Sequence, residues 1–265
     1  MAKFGRRAEF VLPDRSKYVS MEREFLSSYR QLVVATAHAR GAPATGGMAA
    51  NIVPAGGERE KIVQSVIQEK RKEIKAGVDG FLIYDTQLAA PCRRLWEEMR
   101  NYRPGEASVI SCYLTVSLSL SLCLEETEVS SVTADRLLTI PTGGVTTEGL
   151  KLNIAVTVVF IASWLRAGRG CLSYLGKAED SATAEISRCQ VWQWLHHGAR
   201  LEESGSLVSL GLVRTFLAEF VQQNNTERET AGQIFLDLVT RRDLPQFITT
   251  VLSDSYLFRF TNKAQ

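Results

Sequence analysis

The sequence is short of the residues from which metal centres and disulfide frameworks are built. It has three histidines in 265 residues, and two of them, His196 and His197, are adjacent. Neighbouring helical side chains point about 100° apart, so this pair cannot easily bind one metal ion. The five cysteines are widely and irregularly spaced, with no C-x-x-C pair, which argues against a disulfide framework and a zinc ribbon. We therefore expect free thiols in a reducing compartment and no metal site in this chain.

The chain also lacks an excess of charge of either sign and a long apolar run. Its 31 Lys and Arg residues nearly balance its 29 Asp and Glu residues, which gives no reason to expect nucleic acid as a partner. The longest apolar stretch, residues 152–165, contains Asn153 and is shorter than the roughly 20 residues of a membrane-spanning helix. Glu9 precedes any apolar run that could act as a signal peptide. We expect neither a nucleic-acid partner nor membrane insertion.

Several common catalytic motifs are missing as well. The sequence contains no G-x-G-x-x-G, P-loop, G-x-S-x-G or H-E-x-x-H string, so the usual phosphate, nucleophile and zinc-protease sites have no support. What is present is an apolar content of 45% against 23% charged residues, which is typical of a globular chain with one large core or two modest ones.

The first hundred residues show an α/β pattern. Apolar residues at steps of three and four predict helices over residues 18–40 and 58–76, each followed by a glycine. The Gly/Ala-rich residues 41–50 predict a short strand with a loop, and the apolar residues 80–84 predict a second strand before another helix. This alternation is typical of parallel βα units and predicts the α/β class.

The pattern changes after residue 101. Leucine alternates with Ser, Thr and Cys over residues 114–124, which indicates either a half-buried strand or a low-complexity segment with no selected fold. Beyond residue 147, apolar stripes predict five helices, over residues 150–165, from 180 or 181 to 198, and over 212–221, 231–238 and 244–252. The sequence thus predicts α/β structure over residues 1–101, a linker with a Ser-Leu insertion over 102–147, and a helical domain over 148–265.

One acidic residue, Asp180, lies at a position that suits either helix capping or catalysis. Asp180 immediately precedes a predicted helix, where backbone N–H groups and the helix dipole favour a carboxylate. The residue is therefore either a helix N-cap or a positioned general base, and the two roles can coexist. The following segment, residues 190–198, carries a pair of tryptophans, which is more typical of packing than of catalysis.

Four segments together resemble malate synthases, in the order usual for that family. They are FVLPDR at residues 10–15, ATGGMAA at 44–50, EDSATAEISR at 179–188 and QVWQWLHHG at 190–198. The resemblance extends over nearly the whole chain except the Ser-Leu segment, and it matches the C-terminal half of a full-length family member. It implies that residues 1–101 are the C-terminal part of a TIM-type β/α barrel and that an all-helical C-terminal domain follows.

The resemblance also implies a reaction. A malate synthase-like acyltransferase would condense acetyl-CoA with glyoxylate to give malate and CoA in the glyoxylate cycle, with Asp180 as the catalytic base that deprotonates the acetyl methyl group. Met48 and Cys171 match residues near the family's acetyl-CoA pocket. Such chemistry needs a carboxylate within hydrogen-bond reach of a weak carbon acid and positive charge to stabilise the enolate.

The sequence departs from the family in three respects. The family's general-acid arginine and its two acidic ligands for Mg²⁺ lie upstream of the matching segments, so we expect them outside this chain. The family strand Gly-Thr-Trp-Val-Ala-His-Pro is replaced by residues 80–86, without the tryptophan and the His-Pro pair. The final residues do not match a Ser-Lys-Leu peroxisomal signal, whereas the resemblance implies a peroxisome, a glyoxysome or the cytoplasm.

Two functional hypotheses therefore stay open. In the first, the chain is the base-bearing part of a malate synthase-like enzyme. In the second, it is a truncated, non-catalytic relative that acts at most as a binding or interaction module.

Overall fold

The structure is a computed structural model that describes residues 6–100, 132–167, 170–222, 227–244 and 247–254. The chain divides into two compact units. The sheet unit comprises Met21–Thr139 and Leu175–Ala178, and the helix unit comprises Met1–Ser20, Ile140–Tyr174 and Glu179–Gln265, each as far as it is described. The predicted Ser-Leu segment lies outside the described residues.

The described elements follow one another in a simple order. The strands are β1 (Thr45–Ala49), β2 (Gly80–Ile83), β3 (Cys171–Tyr174) and β4 (Lys177–Asp180). The helices are α1 (Arg15–Tyr18), α2 (Glu24–His38), α3 (Arg59–Lys75), α4 (Ala89–Arg100), α5 (Ala134–Leu138), α6 (Thr147–Ala167), α7 (Ser181–His196), α8 (Leu210–Gln222), α9 (Glu227–Thr240) and α10 (Ile248–Leu252). Short 3₁₀ turns cover Ala8–Phe10 and Thr86–Leu88.

The sheet unit is built around a β-α-β motif. Strands β1 and β2 pair in parallel, and α3 connects them, as the alternation in the sequence predicts. Asp79 joins the beginnings of both strands, because its carboxylate accepts a hydrogen bond from the Ala44 amide at 2.7 Å and its own amide donates to the Ala44 carbonyl at 2.8 Å. The predicted α/β pattern of this region is therefore confirmed at the level of one parallel pair.

The two faces of this sheet differ. One face packs on α3 and α4 through a core of aliphatic side chains and one cysteine, namely Ala49, Val53, Val63, Val66, Leu88 and Cys92. The opposite face, which we call the open face, carries Met48 and Leu82, which are 41% and 61% exposed. An apolar side chain that far exposed on a strand is a surface that a larger sheet or barrel would cover.

The helix unit has a larger core, centred on α6. This helix packs against α7, α8 and α9, and it buries Leu150, Ile154, Val158, Phe160 and Ile161. By length and composition alone, its segment Thr147–Arg166 could cross a membrane. The helix is longer than the apolar run at residues 152–165, because it also includes residues 147–151. More than half of the segment is buried in the structure, as in the core helix of a globular domain.

The structure corrects three other predictions. A hairpin, β3–β4, interrupts the region predicted to be all-helical, because Leu175 and Gly176 both adopt left-handed backbone angles (φ 47° and 74°) that suit a two-residue hairpin turn. The last helix begins at Ile248 rather than at residue 244. The first long helix begins at Glu24 rather than at residue 18, since the Asp14 carboxylate caps a separate short helix, α1.

Candidate active site

Asp180 lies at the junction of a strand and a helix. It is the last residue of β4 and the N-cap of α7, with extended backbone angles (φ −125°, ψ −170°). Its Oδ1 accepts hydrogen bonds from the amides of Ala182 at 2.9 Å and Thr183 at 3.1 Å. The Asp180 amide in turn donates to Oγ1 of Thr183 at 2.9 Å, which completes a reciprocal capping box. The N-cap geometry expected from the sequence is therefore present.

The cap uses only one side of the carboxylate. The hydrogen bonds that the Asp180 side chain accepts from described residues all end at Oδ1. The side chain is partly exposed, and Oδ2 has no protein donor among the residues that the structure describes. One oxygen thus orients the carboxylate while the other is able to accept a proton or a hydrogen bond from a bound molecule.

A partly buried arginine lies near the start of the same helix. Nη2 of Arg15 donates to Oγ of Ser187 at 2.9 Å, and Ser187 is fully buried on α7. Burial lowers the pKa of Arg15, while the carboxylates of Glu179 and Asp14 act in the opposite direction. Glu179, 8% exposed, directly precedes Asp180. The first two turns of α7 are therefore held by an arginine with acidic neighbours, a feature that the sequence analysis did not single out.

The tryptophan segment, residues 190–198, forms hydrogen bonds with residues 10–13, which we call the N-terminal strip. Gln193 forms two hydrogen bonds with the backbone of that strip: its Nε2 donates to the Phe10 carbonyl at 2.7 Å, and its Oε1 accepts from the Leu12 amide at 2.9 Å. Nε1 of Trp194 donates to the Leu12 carbonyl at 2.8 Å, and Nε2 of Gln190 donates to the Pro13 carbonyl at 2.7 Å. Two of the four family-like segments are thus packing partners, and their contacts are structural.

Cys171 belongs to the same hairpin as Asp180. It is the first residue of β3, it is exposed, and its thiol is free. A two-residue turn joins β3 to β4, and hairpin geometry then predicts that the first residue of β3, Cys171, lies across from the last residue of β4, Asp180. The hairpin therefore carries two of the three site residues predicted from the sequence.

Met48 belongs to the other unit. It lies on β1 of the sheet unit, on the open face, opposite Leu82 of β2. Its exposure leaves its side chain accessible to a ligand, as a pocket residue requires.

The described residues do not provide a metal site. They contain no group of three or more His, Cys, Asp and Glu side chains that could hold a metal ion. The Mg²⁺ that the resemblance implies therefore finds no ligand set in the described part of this chain.

Comparisons with known proteins agree with the resemblance. A family model described as "Malate synthase, TIM barrel domain" matches residues 1–112, and one described as "Malate synthase, C-terminal" matches residues 144–255. The chain is 37% identical to malate synthase of Myxococcus xanthus, with 84% of this chain and 38% of the relative aligned. It is 33% identical to glyoxysomal malate synthase of Zea mays (93% of this chain, 44% of the relative). It is also 33% identical to malate synthase A of Escherichia coli (90% of this chain, 44% of the relative).

These alignments extend over most of the chain but not over most of the relatives. The chain spans 38% to 44% of the length of the three curated relatives named above. Two adjacent domains of one family match in the family order, and the segments that carry the resemblance include the capped Asp180 and the strip that the tryptophan helix holds. This chain belongs to the malate synthase family.

Proposed function

We propose that this chain is the base-bearing part of a malate synthase-like acyltransferase, which condenses acetyl-CoA with glyoxylate to give malate and CoA in the glyoxylate cycle. The observation that carries the proposal is the Asp180 carboxylate, oriented through Oδ1 by a capping box and uncommitted at Oδ2 among the described residues. Asp180 is the catalytic base in this proposal.

The chemistry follows from that geometry. Oδ2 of Asp180 takes a proton from the methyl group of acetyl-CoA, and the resulting enolate carbon forms a bond with the aldehyde carbon of glyoxylate, whose oxygen gains a proton. Water then cleaves the thioester to release malate and CoA. The amides of Ala182 and Thr183 keep the carboxylate oriented for the first step. Cys171 and Met48 are proposed to line the site of the acetyl-CoA substrate.

We propose that the ligands of Mg²⁺ and the general-acid residue lie outside this chain. Bound Mg²⁺ supplies Lewis-acid polarisation of a carbonyl oxygen, which is worth several kcal/mol of transition-state stabilisation. The described residues hold no ligand set for it, so no step of the proposed mechanism in this chain depends on the ion.

The proposed fold is the C-terminal part of a barrel followed by a helical domain. The β1-α3-β2 motif is the repeating unit of a β/α barrel, and two parallel strands cannot close a barrel that uses eight. We propose that residues 1–101 are the C-terminal part of a TIM-type barrel, that residues 102–147 are a linker, and that residues 148–265 form the C-terminal domain. An intracellular location, in a peroxisome, a glyoxysome or the cytoplasm, belongs to this proposal.

A second function is favoured by the coverage of the relatives. Because the chain spans 38% to 44% of the three relatives compared above, it can also be a truncated relative that binds a partner without catalysis. The genomic sequence upstream of Met1 separates the two: an in-frame barrel segment favours the enzyme, and its absence favours the binding module.

The direct test compares the turnover of this chain with and without an in-frame upstream barrel segment. Thiol release from acetyl-CoA in the presence of glyoxylate and Mg²⁺ is measured for this chain alone and for the chain joined to its upstream in-frame segment. We expect negligible release from the chain alone and turnover of about 1–1,000 per second from the joined protein. A folded joined protein without turnover would contradict the proposal.

A further inference from the structure

Strand β1 contains a bulge that decides which way Met48 points. Along the parallel pair, Gly46 lies opposite Phe81 and Met48 lies opposite Leu82, so Gly47 is an extra residue without a partner on β2. An extra residue of this kind is a β-bulge, a feature that re-aims the side chains that follow it.

The bulge sets the face on which Met48 lies. Phe81 and Ile83 of β2 pack toward the core between the sheet and its helices, whereas Leu82 lies on the open face. If β1 paired with β2 without a bulge, Gly47 would lie opposite Leu82 and Met48 would lie opposite Ile83. Side chains alternate between faces along a strand, so this shift would turn Met48 from the open face toward α3.

A buried ion pair on α3 contacts the bulge. Lys70 is 2% exposed, and its Nζ donates to the Gly47 carbonyl at 2.6 Å and to both carboxylate oxygens of Glu73 at 3.0 Å. Three donors thus meet three acceptors, which satisfies the ammonium group. Nζ also lies 5.1 Å from the centre of the Phe81 ring. Burying a lysine is costly unless it is paired, and here its pairing includes the bulge carbonyl.

The two glycines of the bulge have different functions. A Cβ at Gly46 would lie 2.2 Å from Oε2 of Glu73, so this glycine leaves room for the ion pair. A Cβ at Gly47 would meet nothing within 4 Å. The ion pair and Gly46 therefore fit together as one arrangement, with Gly47 as the bulged residue that Lys70 holds.

We propose that Lys70 and Glu73 are positioning residues, which hold the bulge at Gly47 and thereby keep Met48 on the open face. That Met48 on the open face lines the acetyl-CoA site rests on the proposed function. That the ion pair sets the direction of the Met48 side chain does not depend on it. The ion pair is on α3 and Met48 is on β1. Two residues of the helix therefore set the direction of a side chain on the strand.

The experiment uses the full chain and measures how fast Met48 is oxidised by hydrogen peroxide, with mass spectrometry of its peptide. Met21, 47% exposed, is the internal reference. In Lys70→Leu, we expect oxidation of Met48 to slow several-fold relative to Met21, because Met48 turns toward α3. The matched control is Lys72→Leu on the same helix, whose lysine side chain is 57% exposed, and it leaves the ratio unchanged.

A second variant removes the whole pair. Lys70→Leu leaves Glu73 buried without its cation, which can prevent folding, whereas Lys70→Leu/Glu73→Leu leaves no buried charge. The double variant is expected to fold and to show the same slowing at Met48. A folded variant with an unchanged or faster rate at Met48 overturns the proposal, and so does a double variant that does not fold, because the pair is then a general stability element. Neither readout requires turnover, so failure of the enzymatic proposal is distinguishable from failure of this one.

Discussion

At the residue scale, Asp180 is the N-cap of α7 and the proposed catalytic base, and substitutions can separate these two roles. The N-cap was predictable from the sequence, because an acidic residue directly before a helical pattern is a strong capping signal. The role as a base rests on the resemblance and on the uncommitted Oδ2, since a capping residue and a catalytic base use the same residue type. No local pattern in the sequence separates the two.

The capping role predicts a specific pattern of stability in this chain. Asp180→Ala removes the acceptor of the Ala182 and Thr183 amides and should lower the free energy of unfolding by about 1 kcal/mol. Asp180→Asn should leave it almost unchanged, because Asn and Asp are nearly equal as N-caps. Urea denaturation measures both, and equal losses for the two variants would contradict the capping assignment.

The cysteines of the described residues should differ in reactivity. Cys171 is exposed, whereas Cys92 and Cys189 are buried, and burial raises the pKa of the Cys189 thiol. A raised pKa leaves a smaller thiolate fraction at a given pH, and burial also shields the thiol from the reagent, so we expect iodoacetamide to modify Cys171 before Cys189. Peptide mass spectrometry follows the sites, and Cys171→Ser is the control. Modification of Cys189 at the rate of Cys171 in the folded chain would be the contrary result.

At the scale of elements, α7 fixes the N-terminal strip through side-chain hydrogen bonds to its backbone. Gln193 is fully buried and bonded to the backbone of Phe10 and Leu12. Gln193→Ala leaves these backbone groups without partners and should cost about 1–3 kcal/mol of stability. Gln64→Ala is the matched control, because its bond to Glu60 is exposed and worth only about 0.2–0.5 kcal/mol. Similar losses in both variants by urea denaturation would show that these hydrogen bonds add nothing.

The glycine pair of β1 offers a second comparison at this scale. Gly46→Ala places a Cβ against Oε2 of Glu73 and should cost about 1–3 kcal/mol, as overpacking in a core does. Gly47→Ala meets open space and should cost much less. Thermal unfolding of the two variants gives the comparison, and a larger loss for Gly47→Ala would contradict the described packing.

The elements also show what the sequence could predict. The apolar stripe of α3 consists of Ile62, Val63, Val66, Ile67 and Ile74, and Lys70 falls on that same stripe, so a buried lysine was visible in the pattern. The bulge was not, because Gly-Gly-Met carries no register information without its partner strand. The β3–β4 hairpin was missed because its strands are short and because Leu175 at positive φ is not a usual turn signal.

At the scale of the whole molecule, the family and the α/β start of the chain were predictable, whereas the division into units was not. Unit membership depends on long-range contacts: residues 6–20 belong to the helix unit, because residues 10–13 bond to α7. Local periodicity cannot show such a partnership. The open face of β1–β2 agrees with a barrel that continues beyond these two strands, which is the basis for expecting no turnover from the chain alone.

The central proposal is that Asp180 is the catalytic base, and the most direct test compares two variants of this chain joined to an in-frame upstream barrel segment. Asp180→Asn keeps the cap but cannot accept the methyl proton, so its kcat should fall on the order of a hundredfold or more while its stability is unchanged. Thr183→Val removes the reciprocal bond of the capping box, so it should lose stability and retain most of its turnover. An Asn variant as active as the parent enzyme would contradict the assignment of Asp180 as the base.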